Sequence, residues 1–297
     1  MSFASDAKGE LCQIAPTQRC RAQAEAYGVL LFCNQCSGAG ARIVTESPDF
    51  ARRLPVLFDA AFGVAFDRTP TGAESKQVFL LQQPEKLSAV WESFGYDPGE
   101  TLAHHINFAV LEEEGCRAAF FRGAFLAGGT VTDPAKRYHL ELATSHYNVS
   151  RELAALLGEE GFSPKETTRK SNYLTYFKQS QAIGRFLEWI GAPEAARQVR
   201  SVRAEKAVLV GVYRRINCDA ANLDKVVEAA QEQIAAIRRL EERGMLEDLP
   251  DKLRATAELR VEHPELTLSQ LAEASDPPVT KSCLNHRLRK LVELARA

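Results

Sequence analysis

The chain of 297 residues lacks any run of about 18 apolar, uncharged residues, the least a membrane-crossing helix needs, so an integral membrane protein built from helices is not expected. Its first residues, MSFASDAKGELCQ, have neither a basic stretch nor an apolar core of the kind that directs export, and the expectation is a cytoplasmic protein. There is no surplus of positive charge either. The 37 Lys and Arg face 39 Asp and Glu, a formal net charge of −2. That excludes a wrapper whose whole surface meets phosphate, while leaving room for a local basic element. No G-x-x-x-x-G-K-[ST], G-x-S-x-G or G-x-G-x-x-G pattern occurs, which removes the usual sequence grounds for nucleotide hydrolysis, serine-hydrolase chemistry and dinucleotide binding.

Cysteine is present seven times, an odd number at irregular spacing, which argues against a disulfide framework. Cys33-Asn-Gln-Cys36 is a C-x-x-C that could join Cys12 and Cys20 in a four-thiolate zinc site. Cys12 and Cys20 lie eight residues apart rather than as a second close pair, however, so the reading favours reduced, packed thiols and no bound metal. At 45% hydrophobic and 26% charged, the chain has the composition of a globular protein and the length for two cores.

An internal repeat is the first positive signal. Cys20-Arg21 and Cys116-Arg117 each open a small, apolar stretch, AEAYGVLLFC and FFRGAFLAGG; at an offset of 95, Gly28 falls on Gly123 and Leu31 on Leu126. After the first stretch come a strand ARIVTES, a helix DFARRLPVLFDAAFG, strands VAFD and KQVFLLQQ, and a helix PEKLSAVWESFG. After the second come RYHLELATS, a helix around NVSRELAALLGEEG, strands SPKETTR and NYLTYFK, and a helix SQAIGRFLEWIG. Both halves read α-β-α-β-β-α, with room for an extra short strand at the first turn. The result is a pseudo-symmetric α/β unit over residues 1–195, with repeats at about 1–96 and 115–195. The acidic run Glu112–Glu114 reads as a solvated connector.

Past Gly191 the composition changes. Residues 196–218 read as a basic linker carrying Arg200, Arg203, Arg214 and Arg215, candidates for phosphate contact. From Asp219 to Gly244, Leu223, Val227, Ala230, Ile234 and Ile237 step by fours and threes, the mark of an amphipathic helix. Pro250 opens a further helix with Leu253, Ala257 and Val261 on one face, and residues 219–297 read as an all-helical domain. Within it, 267–295 has the pattern of a helix-turn-helix. Thr267 and Gln270 form a capping box, Ser275-Asp-Pro-Pro278 breaks the chain, and Thr280 caps a last helix buried through Leu284, Leu288, Leu291 and Ala295. The other face holds Ser282, Asn285, His286, Arg289 and Lys290, flanked by Lys281 and Arg287. Arginine can fork onto guanine and asparagine onto adenine in the major groove, and the remaining groups can hold phosphates, which makes double-stranded DNA the expected partner.

The start Met1-Ser-Phe3 with Lys8, Glu10 and Leu11, the stretch Arg122–Gly129 followed by Asp133-Pro134, the segment Arg215-Ile-Asn-Cys-Asp-Ala-Ala-Asn222 with Lys225, Leu249-Pro250 with Lys252-Leu-Arg254, and the close Lys281-Ser282 with Asn285–Lys290 together resemble the WhiA family. The resemblance spans nearly the whole chain. It implies an α+β protein: a duplicated unit similar to LAGLIDADG homing endonucleases, then an all-α helix-turn-helix domain similar to region 4 of bacterial sigma factors. It also implies a DNA-binding transcriptional regulator in cell division, chromosome segregation and, in some bacteria, sporulation. Such a protein would sit on the nucleoid at promoter sites, with a second transcription factor or a division protein as a further partner.

In the LAGLIDADG enzymes an acid near the end of each paired helix holds a divalent metal over the scissile phosphates. Here those places hold Gly128-Gly129 and Phe32-Cys33-Asn34, and Asp133 beside Pro134 reads as a turn former, so no catalytic residue, metal or cofactor is expected. His104-His105 with His139 lack a closely spaced further ligand and read as packing. FLEWIG reads as core rather than a platform for stacking bases. The alternatives are an interaction scaffold of the division machinery and, more remotely, a divalent-metal endonuclease.

Overall fold

The structure is a computed structural model, described over residues 2–70, 75–96 and 104–296; Met1 and Ala297, the ends of the expected domains, lie outside the described residues. The chain divides into two compact units, Met1–Lys206 and Ala207–Ala297.

The first unit opens with a helix that the repeat pattern did not anticipate, α1 (Phe3–Cys12), capped by the Ser2 hydroxyl and buried through Phe3, Ala7 and Leu11. The first repeat follows as α2 (Arg19–Phe32), β1 (Gln35–Ser37), β2 (Gly40–Thr45), α3 (Pro48–Phe62), β3 (Gln77–Leu81) and α4 (Pro84–Glu92). The second is α5 (Cys116–Gly128), β4 (Gly129–Val131), β5 (Leu140–Thr144), α6 (Tyr147–Glu159), β6 (Lys165–Arg169), β7 (Asn172–Phe177) and α7 (Ser180–Ile190). The sheets are antiparallel, ordered β1-β2-β3 and β4-β5-β7-β6. Corresponding strands pair alike: Ile43 faces Phe79 in the first sheet and Leu142 faces Thr175 in the second.

The expected strand VAFD does not form. Its remnant is a single bridge from Arg68 to Leu80. The Asp67 carboxylate instead turns the chain toward α4, accepting from the Gln82 and Gln83 amides (2.5 and 2.8 Å) and from Lys86. Pro70, having no N–H, cannot extend a ladder.

What organises the unit is the crossing of α2 and α5. A Cβ built on Gly28 would stand 2.1 Å from the Phe120 carbonyl oxygen and 2.8 Å from the Ala124 nitrogen; one on Gly123 would stand 1.9 Å from the Glu25 oxygen and 3.0 Å from the Val29 nitrogen. Shifted by 95, these are one contact seen from its two sides, so the repeats meet as a self-complementary pair. Only glycine permits that approach. Beside it, Glu25, fully buried, takes Arg53 through both oxygens (2.6 and 2.8 Å) and Arg122 at 2.9 Å. Arg53 also donates to the carbonyls of Cys12 and Ile14, and Arg122 to that of Ile190. The charged cluster is thus satisfied on all sides and ties α2, α3, α5 and the end of α7 together.

Residues Pro193–Glu242 form one helix, α8. The stretch expected as a basic linker, 196–218, is therefore helical throughout. Ala195, Ala196 and Val199 pack into the first unit, and Glu10 caps the helix by accepting from the Glu194 and Ala195 amides (2.7 and 3.0 Å). The second unit adds α9 (Asp251–Glu262), α10 (Leu268–Glu273) and α11 (Lys281–Arg296). Its core joins Ala236, Ile237 and Leu240 to Leu253, Ala257, Leu271 and the buried face of α11. Two expected core positions of α8 fail this test: Leu223 and Val227 are 62% and 46% exposed, and burial begins at Ala230. At ~1.5 Å per residue, helices of 6 to 16 residues reach no further along α8 than its last turns. Val261 is likewise exposed (40%), its expected place taken by Thr256 and Arg260.

Gly28→Ala and Gly123→Ala each force backbone against backbone, and urea unfolding is expected to show a loss of more than about 3 kcal/mol or no folded protein. Gly158→Ala, in an open position of α6, is the control: it is expected to be neutral or to stabilise by about 0.5–1 kcal/mol.

Candidate nucleic-acid interface

Local chemistry places each helix of the second unit. The Thr267 hydroxyl accepts from the Gln270 amide while the Gln270 side chain accepts from the Thr267 amide (3.0 Å), the expected capping box. Thr280 caps α11 by accepting from the Cys283 amide at 3.2 Å. The connection between the two is seven residues long, and it is held by the Val279 amide on the Ala272 carbonyl (3.0 Å). Arg260, which the sequence reading passed over, is only 2% exposed; its guanidinium donates to the carbonyls of His263 and Leu266, pinning the turn from α9 into α10. An arginine three residues past Ala257 on the apolar face was the available clue.

With Leu284, Leu288, Leu291 and Ala295 buried, α11 presents its other face outward. Lys281, Ser282, His286, Arg289 and Lys290 are exposed, while Asn285 and Arg287 are half-buried. Arg287 leans into a cleft of about 480 Å³ shared with Asp251, Lys252 and Asp276, so it stands apart from the outward row. The helix carries five basic residues against the single acid Glu293, a concentrated positive charge in a chain that is slightly negative overall. Arg296 is engaged with Glu232 at 2.7 Å, while no ion pair involves Lys281, Arg287, Arg289 or Lys290 among the described residues.

The arginines of α8 divide differently. Arg200 is bound by Glu188 through both nitrogens (2.7 and 3.4 Å), so it is committed within the first unit. Arg203, Arg214 and Arg215 are exposed. Lys206 donates to the Pro134 carbonyl at 2.7 Å and lies over the Tyr138 ring.

The end of the α2–α5 pair, where the resemblance implies acids in a nuclease, carries Gly128 and Cys33 and borders an open cavity of about 390 Å³ lined by Lys8, Asn34, Glu46, Lys76 and Leu126 among others. A Cβ on Gly128 would lie 2.5 Å from the Ala143 carbonyl oxygen and 3.1 Å from that of Phe32, so no side chain of any kind fits. At the equivalent place in the first repeat the Cys33 thiol lies 3.2 Å from both the Leu30 and Gln35 carbonyls. Asp133 accepts from the Ala135 amide at 2.9 Å, as a turn former does. Into this end α1 inserts Lys8, whose ammonium donates to the Leu126 carbonyl at 3.0 Å, near the Phe125 ring. A cation of the protein's own thus rests on the C-terminal carbonyls of α5, and burial pushes its pKa down to about 8.

The histidines do not converge. His105 pairs with Glu152 (2.7 Å), His139 with Glu141 (2.9 Å), and His104 packs on His146. Trp189 of FLEWIG packs against Phe121 and Phe162, within the core. Nor do Cys12 and Cys20 join Cys33 and Cys36. The one group of three potential metal ligands among the described residues is Cys20, Glu113 and Cys116.

Residues 117–208 match the family model of the WhiA LAGLIDADG-like domain, and residues 212–295 that of the WhiA C-terminal HTH domain. The probable cell division protein WhiA of Clostridium novyi (strain NT) is 33% identical over 309 residues, covering 99% of this chain and 98% of that protein. Its counterpart in Heliobacterium modesticaldum is 35% identical over 308 residues, covering 100% and 97%. The chain belongs to the WhiA family. Its fold is shared with the crystal structure of full-length DUF199/WhiA from Thermatoga maritima, at a TM-score of 0.59 and 21% identity, covering 100% of this chain and 98% of that one. The WhiA pattern of a LAGLIDADG-like α/β unit and a helix-turn-helix is the architecture described above. No helix among the described residues is long and apolar enough to cross a membrane.

Lys8 supplies a test of the plugged helix end. Its pKa is lowered in the folded chain from 10.5 to about 8, so between those values the unfolded chain binds the extra proton and stability rises with pH. Unfolding of wild type and Lys8→Met is expected to show wild type gaining on the variant from about pH 8 to pH 10.5. Parallel curves would mean that the ammonium is not buried.

Proposed function

We propose that this chain is a sequence-specific DNA-binding transcriptional regulator, acting in cell division and chromosome segregation and in the sporulation of some bacteria, without nuclease activity. The observation that carries this reading is the outward face of α11, where basic and hydrogen-bonding side chains stand free at the end of a helix-turn-helix. Lys281 and Ser282 in its first turn and Asn285 one turn on are placed as the groove-entering residues of such a helix are. Lys281, Ser282, His286, Arg289 and Lys290 serve phosphates and base edges; Asn285 reads a base; Arg287 joins from the flank. On α8, Arg203, Arg214 and Arg215 add phosphate contacts, and Arg200 does so on release from Glu188. The protein works in the cytoplasm on the nucleoid, bound at promoter sites, with a second transcription factor or a division protein as its further partner.

The chemistry at the end of the α2–α5 pair supports the absence of cleavage, since neither Gly128 nor Cys33 supplies a carboxylate and Lys8 brings a positive charge to the place a metal would need. Plasmid incubated with the protein and Mg²⁺ or Mn²⁺ is expected to stay intact; nicking that vanished in a single-residue variant of the first unit would overturn this part.

Asn285→Ala is expected to cost about 1–3 kcal/mol at one operator position and little elsewhere, whereas Lys281→Ala weakens every sequence alike and lowers the salt slope by about one. Filter binding on cognate and scrambled duplexes distinguishes them. An equal loss on all sequences from Asn285→Ala would remove its base-reading role.

The exposed apolar side chains of α8, Leu209, Val212, Tyr213, Ile216 and Leu223, favour a second reading, an interaction scaffold that touches DNA only incidentally. Full-length Arg289→Ala/Lys290→Ala separates the two. A regulator loses its division phenotype together with DNA binding, and a scaffold keeps it.

A further inference from the structure

The Cys-Arg pairs that open the two repeats meet in space. Cys20 is the second residue of α2 and Cys116 the first of α5, and their sulfurs, with a carboxylate oxygen of Glu113, all lie within 4.8 Å of one another. Glu113 belongs to the acidic run that the sequence reads as a plain connector. Its position is built. Gly115, at φ +81°, closes a turn in which the Cys116 amide bonds the Glu113 carbonyl (3.0 Å), folding Glu113 back over the thiols. Arg21, the other half of the first Cys-Arg pair, holds that turn from outside by donating to the Glu114 carbonyl at 3.2 Å. A side chain on Gly115 would collide with its guanidinium at 2.8 Å.

The geometry points to a zinc site formed by Cys20, Cys116 and Glu113, which joins the two repeats at the N-terminal ends of their central helices. Thiolate sulfurs with a carboxylate oxygen are a ligand set suited to zinc, and three protein ligands leave one of the four tetrahedral positions open. An adjoining cleft of about 360 Å³, lined by Cys20, Glu113, Gln23 and Asn107 among others, gives that fourth position access to water. Two thiolates and a carboxylate carry three negative charges; the divalent ion and the neighbouring Arg21 offset them. Zinc binds thiolates, so loading the site is accompanied by release of the thiol protons. Cys20 is more than ninety residues from Glu113 and Cys116, so no motif spacing joins the three, and they become neighbours only through the α2–α5 crossing.

The test uses the full-length chain, reduced, stripped with a chelator and titrated with Co²⁺ as a spectroscopic stand-in. The expected result is one equivalent bound, with thiolate-to-cobalt charge-transfer absorption in the near ultraviolet, intense visible bands of a four-coordinate ion, and loss of both on adding Zn²⁺. Zn²⁺ alone is expected to raise the thermal midpoint. Cys20→Ser and Cys116→Ser lose the charge-transfer absorption, Glu113→Gln keeps it with weaker binding, and Cys33→Ser keeps it unchanged. Cys20 is only partly buried, so Cys20→Ser carries the test if Cys116→Ser does not fold. The site is overturned by reduced wild type that shows no thiolate band, by a band that survives Cys20→Ser, or by a chain that takes no Co²⁺ and instead forms a Cys20–Cys116 disulfide when reductant is removed.

Discussion

Two helices that touch backbone to backbone set the terms for the first unit. Gly28 and Gly123 occupy the same place in the two repeats, and each lets the partner helix come within a distance that no Cβ would tolerate. Around that contact the chain sets one buried carboxylate, Glu25, and two arginines that reach out to the ends of α1 and α7. Removing one partner of such a cluster strands a charge in the interior, at a cost of about 3–5 kcal/mol, whereas a well-packed apolar replacement of the whole set can be tolerated. The cluster therefore says less about raw stability than about which elements must sit together.

The same crossing decides what its far end can do. Where an acid would be needed for a metal-dependent nuclease, Gly128 is pressed against two carbonyls, and the helix end is capped by the Lys8 ammonium from α1. A carboxylate at Gly128 would have to displace the Ala143 and Phe32 carbonyls, and a metal beside it would meet the Lys8 ammonium. At the opposite end the crossing brings Cys20, Cys116 and Glu113 together. A helix pair that sets no carboxylate at one end thus still brings two thiols and a carboxylate together at the other.

The periodic segments were readable because each carries its own local cause. The offset of 95 between Gly28 and Gly123, the Thr267–Gln270 capping box and the Leu284–Ala295 stripe all have direct counterparts in the structure. The misses share a different origin. VAFD has strand composition, yet Asp67 finds better partners at the start of α4. The apolar stripe of α8 continues past the point where α9–α11 can cover it, and periodicity alone does not say where a partner ends. Arg260 is buried where Val261 was expected because an arginine with two carbonyl acceptors can replace an apolar side chain. Lys8 and Glu10 stood within a recognisable motif, but their work, plugging α5 and capping α8, depends on elements about 120 and 180 residues away.

On the function proposed, the wetted face of α11 selects DNA sites. Chromatin immunoprecipitation with sequencing, run in parallel on the wild-type chain and on full-length Arg289→Ala/Lys290→Ala at equal cellular levels, tests it most directly. Discrete promoter peaks are expected for wild type and are expected to disappear in the variant. Peaks of the same position and height in both, or an even coating of the chromosome by wild type, would contradict it.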